Sequence, residues 1–216
     1  MPRLLVINPN TTQSITALVA RHVRAAVGPD FEVAAATGRF GCAYITTEAC
    51  YAIGSHAALD CFEKHGAGCD VVLLACFGDP GLFALKETSP VPVLGLAEAS
   101  MIEATETAGR FSIVTGGAAW KPMLERFAAQ LGYADRLASV RTVALTGGEI
   151  AADPDAALAA LADECRLAAE RDCARAVILG GAGLAGLAAR IASRVPVLDS
   201  VLVGARRIAA LAKIPH

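Results

Sequence analysis

The sequence predicts an α/β protein of two similar lobes, each a four-stranded parallel sheet flanked by helices. Three observations predict it. Short apolar and β-branched runs alternate with longer Ala/Leu-rich segments at helical spacing, the pattern of a parallel sheet with crossover helices. Residues 71–82 (VVLLACFGDPGL) align with residues 176–187 (AVILGGAGLAGL) at a constant offset of 105. Two further pairs of runs repeat at nearly the same distance: 91–95 (VPVLG) with 195–199 (VPVLD) at 104, and Leu5-Val6-Ile7-Asn8 with Ser112-Ile113-Val114-Thr115 at 107. Any two parallel β-α units look alike, because buried strands are Val/Ile/Leu runs and their turns need Gly. Near-constant offsets across three separate runs go beyond that likeness and indicate a duplicated unit.

In chain order, the apolar run from Leu4 closes on Asn8 as the first strand, 4–8, and 31–35 is the second. Strands at 71–76 and 91–95 complete the first half; 112–115, 140–145, 176–180 and 195–199 form the second. Helices fill the gaps, the last at about 201–213. The first lobe is expected to comprise 1–100 together with 201–216, and the second 101–200, with the carboxyl ends of both sets of strands facing a shared cleft. Ligands of open α/β sheets bind beyond those ends, where helix N-termini and free N–H groups converge.

Composition narrows the ligand. With 19 Lys+Arg against 21 Asp+Glu the net charge is −2, which gives no strong pull toward nucleic acid or an anionic membrane, so a small-molecule substrate is expected. No apolar run approaches the ~20 residues a bilayer demands, and Met1-Pro2-Arg3 leads directly into a strand, with no secretion signal. Seven cysteines, an odd number without C-x-x-C spacing, suggest a reducing, cytoplasmic setting with most of them as buried thiols. A homo-oligomer is compatible with all of this.

The cleft should be lined by the residues just past the strand ends: Asn8, Asn10 and Thr11; Cys76, Phe77 and Gly78; Thr115, Gly116 and Gly117; Gly181, Ala182 and Gly183. Asn10 with Gln13 three positions on resembles a capping box; a plain N-cap and a binding role both explain it. Cys76 ends an apolar strand and precedes Gly78 and Gly81 in a turn toward a helix, a place where the helix dipole and N–H donors would favour thiolate. A buried structural cysteine is the alternative, and it is the reading adopted for the other six. Asp79 would raise the thiol pKa if it pointed inward, so it is expected to cap the following helix.

Two patterns are set aside. Residues 181–186 spell G-x-G-x-x-G after a strand, with Asp199 ending the next strand, but only thirteen positions separate Gly186 from Asp199, too few for a dinucleotide unit. His56, Cys61, His65 and Cys69 lack a recognised zinc spacing and read as a helix face with its loop, so no metal is expected.

The motifs Ile7-Asn8-Pro9-Asn10-Thr11-Thr12, Tyr44-Ile45, Ala75 through Leu82, Val114-Thr115-Gly116-Gly117 and Val177 through Leu187 together resemble the aspartate/glutamate/hydantoin racemase superfamily, closest to hydantoin and allantoin racemases. The resemblance covers nearly the whole chain. It implies a pseudo-twofold pair of lobes, no cofactor, and one cysteine per lobe on opposite faces of the substrate α-carbon. Inversion requires that arrangement, since a donor and an acceptor must flank a planar enolate-like intermediate. Amides of Phe77, Gly78, Ala182 and Gly183 would hold the oxygen where charge develops, Asn8, Asn10 and Thr11 would orient the ligand, and Tyr44 would cap the pocket. Cys76 matches the first catalytic cysteine; Gly181 stands where the second is expected. An isomerase is therefore the first expectation. A single-cysteine lyase like the arylmalonate decarboxylases, though with the asymmetry reversed, and a non-catalytic binding relative are the alternatives.

Overall fold

A computed structural model describes residues 1–212. The first half runs β1 (Arg3–Asn8), α1 (Gln13–Val27), β2 (Glu32–Thr37), α2 (Glu48–His65), β3 (Val71–Leu74), α3 (Leu82–Thr88) and β4 (Val93–Gly95). The second comprises α4 (Leu96–Ala108), β5 (Phe111–Gly116), α5 (Trp120–Gln130), β6 (Leu137–Val143), α6 (Gly147–Ala152), α7 (Pro154–Glu170), β7 (Ala176–Leu179), β8 (Val197–Asp199) and α8 (Ser200–Leu211). The strands form two four-stranded parallel sheets of matching order, β2-β1-β3-β4 and β6-β5-β7-β8. The central strands are continuous apolar runs because helices cover both faces: Val71–Leu74 and Ala176–Leu179 are buried throughout.

The helix after each sheet's last strand crosses to the other sheet. α4 packs on β5 and β7, and α8 packs on α1 and β3. The two also pack against each other, and there Glu103 and Arg207, equivalent at the 104 offset, form an ion pair of 2.6 Å. A contact between equivalent residues is what a pseudo-twofold axis produces. Gly204 lets the backbones approach, since a Cβ there would sit 2.7 Å from Leu96 Cδ2.

Four expectations need correction. The boundary set at 100/101 falls inside α4, which is one unbroken helix. The stretch between β7 and β8 holds two 3-10 turns, Ala182–Leu184 and Ala188–Arg190, where a helix was expected; Gly181 and Gly186 take positive φ there and interrupt regular winding. Strand β6 begins at Leu137 and ends at Val143, earlier than 140–145. The cysteines are not all thiols: Cys42 and Cys50 form a disulfide, because the 38–47 loop folds back until their Cα atoms are 5.8 Å apart. Cys61, Cys69 and Cys165 are buried free thiols, whereas Cys173 is exposed. The disulfide removes the basis for inferring a reducing compartment. Residues 213–216 of the expected last helix and first lobe lie outside the described residues. Among the described residues no helix is long and apolar enough to cross a membrane.

Candidate active site

The loops beyond the two sheets meet over a cavity of about 70 Å³. In each lobe the backbone extends its central pairing one residue past the strand: Ala75 N–H donates to Ile7 O (2.7 Å) and Gly180 N–H to Val114 O (2.9 Å). Those bonds bring the next residues, Cys76 and Gly181, to the cavity wall. The turn after Cys76 is closed by Asp79 N–H on Cys76 O (3.0 Å) and Leu82 N–H on Asp79 O (3.1 Å).

Nine expected residues line the cavity: Asn10, Tyr44, Cys76, Phe77, Thr115, Gly116, Gly181, Ala182 and Gly183. Four do not. Asn8 is wholly buried, its amide donating to Asn10 Oδ1 (2.8 Å) and Thr16 Oγ1 (2.9 Å). It is a brace behind the site. The Thr11 amide is committed to Cys42 O (3.1 Å). Gly78 turns toward Trp120, whose ring lies 2.5 Å from where a Cβ would be, and its carbonyl accepts from Tyr51 Oη (2.9 Å). Gly117, at φ +90°, starts the turn into α5.

The lining also includes Ile15, Ile45, Thr46, Trp120, Gly147, Gly148 and Leu184, which sequence reasoning missed. A signal existed for some. Thr146 and Glu149 form a capping box, and T-x-x-E is legible in the sequence as a helix start beside Gly147 and Gly148. The other apolar residues look like ordinary core.

Asn10 is not the cap of α1. The helix begins after Thr12, and Asn10 Oδ1 instead accepts from Thr12 N–H (2.9 Å), an Asx turn that fixes Asn10 at the cavity edge.

Electrostatics reverses the expected state of Cys76. Burial, and secondarily the charge of Asp79, push its thiol far above the ordinary range, so the resting sulfur is neutral. The expected dipole effect is absent from this balance: α3 has seven residues and begins only at Leu82. Asp79 does not cap α3 either. Its carboxylate accepts from Ala97 N–H (3.0 Å) and Glu98 N–H (2.7 Å) at the start of α4. Burial pushes Asp79 up to about 8, against the pull of those two amides.

The G-x-G-x-x-G segment is explained as well. Asp199 Oδ1 caps α8 on Val201 N–H (2.9 Å) and Leu202 N–H (3.1 Å), and its Oδ2 accepts from Gly186 N–H (2.6 Å). Both carboxylate oxygens are thus engaged within the chain. His56 packs edge-on against Phe40, and Cys61 is buried on α2.

On the second lobe's wall, Gly181 has φ +145°, and Leu184 Cδ1 lies 2.9 Å from where its Cβ would be. The Gly181 N–H donates to Ser200 Oγ (3.2 Å). Among the lining residues Cys76 and Tyr44 carry the titratable side chains.

The family model described as "Asp/Glu/Hydantoin racemase" matches residues 4–208. A hydantoin racemase of Pseudomonas sp. (strain NS671) is 33% identical over 207 residues, covering 94% of this chain and 83% of that protein. A hydantoin racemase of Paenarthrobacter aurescens is 33% identical over 208 residues, covering 94% and 88%. The crystal structure of an allantoin racemase from Pseudomonas fluorescens superposes with a TM-score of 0.93 at 32% identity, covering 98% of this chain and 91% of that one.

Proposed function

This chain belongs to the Asp/Glu/hydantoin racemase family, and from that premise we propose that it moves a proton at a carbon next to a carbonyl in a hydantoin-like ring, with Cys76 as the thiol. One observation carries the assignment: Cys76 is the thiol lining the cavity between the lobes. The resting thiol first gives its proton to water; as thiolate, the sulfur then takes the α-proton, the C–H bond breaks, its electron pair moves onto the carbonyl oxygen, and an S–H bond forms. The reverse step returns the proton. Asn10, Phe77, Thr115, Ala182 and Gly183 line the same cavity, and their side-chain or backbone donors would hold the developing oxyanion. Proton transfer between sulfur and carbon calls for no cofactor.

Inversion needs a second donor on the other face of the enolate. The second lobe offers Gly181 at the place equivalent to Cys76, so water or the Tyr44 hydroxyl must serve there. A second reading has a specific observation behind it: the resting Cys76 is neutral, and the equivalent wall is Gly181 under a Leu184 methyl. A neutral thiol facing an enolate generated by loss of carbon dioxide from a 2-substituted malonate would protonate one face only, with water reprotonating the sulfur.

The two readings separate in heavy water. With an enantiopure 5-substituted hydantoin, racemisation gives deuterium at the α-carbon together with polarimetric decay, both lost in Cys76→Ala. Carbon dioxide release from a malonate, with no exchange into hydantoin, supports the second reading. Unchanged exchange in Cys76→Ala would overturn both, and binding without any turnover would make the chain a binding relative.

A further inference from the structure

We propose that Asp79 is a positioning residue for Cys76: clamped on the first amides of α4, it fixes the thiol-bearing turn, and once it has itself lost its proton its charge opposes ionisation of Cys76. This rests on the reading of Cys76 as the acting thiol.

The two lobes supply the comparison. At the 104 offset, Ala97 and Glu98 of α4 correspond to Val201 and Leu202 of α8, and each pair of amides is capped by one aspartate. The aspartates come from different places. In the second lobe Asp199 caps α8 from the end of its own strand, β8. In the first lobe the matching strand residue is Gly95, and the cap arrives from Asp79 on the cysteine loop. A Cβ on Gly95 would sit 2.1 Å from the Asp79 carboxyl carbon, so the side chain fills the space that Gly95 leaves. The position matching Asp79 in the second lobe is Leu184.

Capping alone does not require this exchange, since the second lobe caps the same two amides from the strand. Placing the carboxylate on the loop puts Asp79 in left-handed backbone at φ +52°, which a residue with a side chain adopts reluctantly, and leaves it 1% exposed. What the loop position adds is a carboxyl group within one turn of Cys76, negatively charged once it has titrated. The groups around that charge are few: Cys76 and Tyr51 from the first lobe, and Glu98, which pairs with Lys86 at 2.5 Å. Asp79 loses its proton at about 8, below the range where Cys76 titrates, so it is ionised whenever the thiol is challenged to ionise.

The test is the pH dependence of Cys76 alkylation by iodoacetamide in the full chain, read by mass spectrometry of the Cys76 peptide. Exposed Cys173 serves as the internal reference. Asp79→Asn should raise the Cys76 rate about tenfold at pH 8.5, the effect of moving a thiol by about one unit. Asp79→Ser keeps a short capping oxygen without the charge; it should do the same and guards against loss of fold in Asp79→Asn. Asp199→Asn removes the charge from the equivalent cap and should leave the profile in place. An unmoved profile in folded Asp79→Asn or Asp79→Ser, or an equal shift in Asp199→Asn, overturns the proposal. Activity retained by Cys76→Ala would instead overturn the reading of Cys76, while the alkylation profile still decides whether Asp79 controls the sulfur.

Discussion

Tyr44 of the first half packs its ring on Gly148 of the second, so closely that a Cβ on Gly148 would lie 2.5 Å from the ring's Cε1 and Cζ. The contact closes one side of the cavity, with both residues in its lining. Gly148 sits in α6, where Ala is intrinsically the better residue, so Gly148→Ala should leave the melting temperature nearly unchanged. It should also push Tyr44 aside and raise KM for a hydantoin by about tenfold, the effect of losing ~1.4 kcal/mol of binding. Tyr44→Phe keeps the ring and should keep KM near wild type; Tyr44→Ala should match Gly148→Ala. Steady-state kinetics of the three variants checks this, and an unaltered KM in Gly148→Ala would show that the ring does not shape the site.

The Asp79 carboxyl makes stability depend on pH. Its folded pKa is about 8 and its unfolded value near 3.8, so between the two the native chain binds the extra proton. Stability contributed by that proton is complete below about 4 and declines as pH rises toward 8. Asp60 and Asp172, held low chiefly by bonds from Arg39 and Arg141, act in the opposite sense but at pH values below their unfolded ones. Among these three carboxyls, the window from pH 5 to 8 therefore reads Asp79. Wild-type thermal stability should fall across it, by an amount on the order of a few kcal/mol at most, and Asp79→Asn should flatten the slope. Calorimetry at several pH values reads both.

The β3 and β7 runs, the duplicated offsets and the strand-end position of Cys76 were legible because buried parallel strands write themselves as uninterrupted apolar runs. What stayed hidden depends on long-range partners. Nothing local to Asp79 says that its side chain reaches Ala97 and Glu98, eighteen and nineteen residues on, rather than its own helix. The Cys42–Cys50 bond likewise depends on how the loop between β2 and α2 folds back, which no spacing rule fixes. Ile15, Ile45 and Leu184 reach the cavity by tertiary placement alone; in sequence they are indistinguishable from core.

The Cys42–Cys50 disulfide spans the loop that carries Tyr44, Ile45 and Thr46 into the cavity. Closing so short a loop stabilises the fold by about 2 kcal/mol in the chain-entropy picture. The Cys42→Ser and Cys50→Ser double variant should lose about that much in urea unfolding and show a raised KM, with kcat less affected because Cys76 lies on another loop. An unchanged KM would mean that Thr11 on Cys42 O and Thr12 on Ala43 O hold the loop without help.

Gly181 decides whether a second thiol can be installed. Its φ of +145° belongs to glycine, and Leu184 Cδ1 lies 2.9 Å from the required Cβ. Gly181→Cys therefore carries a backbone cost of about 1–3 kcal/mol and a steric conflict with one flexible methyl. Replacing Leu184 as well, by Ala, removes the conflict but leaves the backbone cost. The single variant should melt lower than wild type and gain little. Gly181→Cys with Leu184→Ala should bring a thiol to the wall equivalent to Cys76 and accelerate polarimetric decay of an enantiopure 5-substituted hydantoin relative to its deuterium exchange. Exchange that is fast while optical rotation persists would mean the new sulfur does not reach the opposite face of the α-carbon, and that the positive-φ turn at Gly181 aims its Cβ away from the ligand.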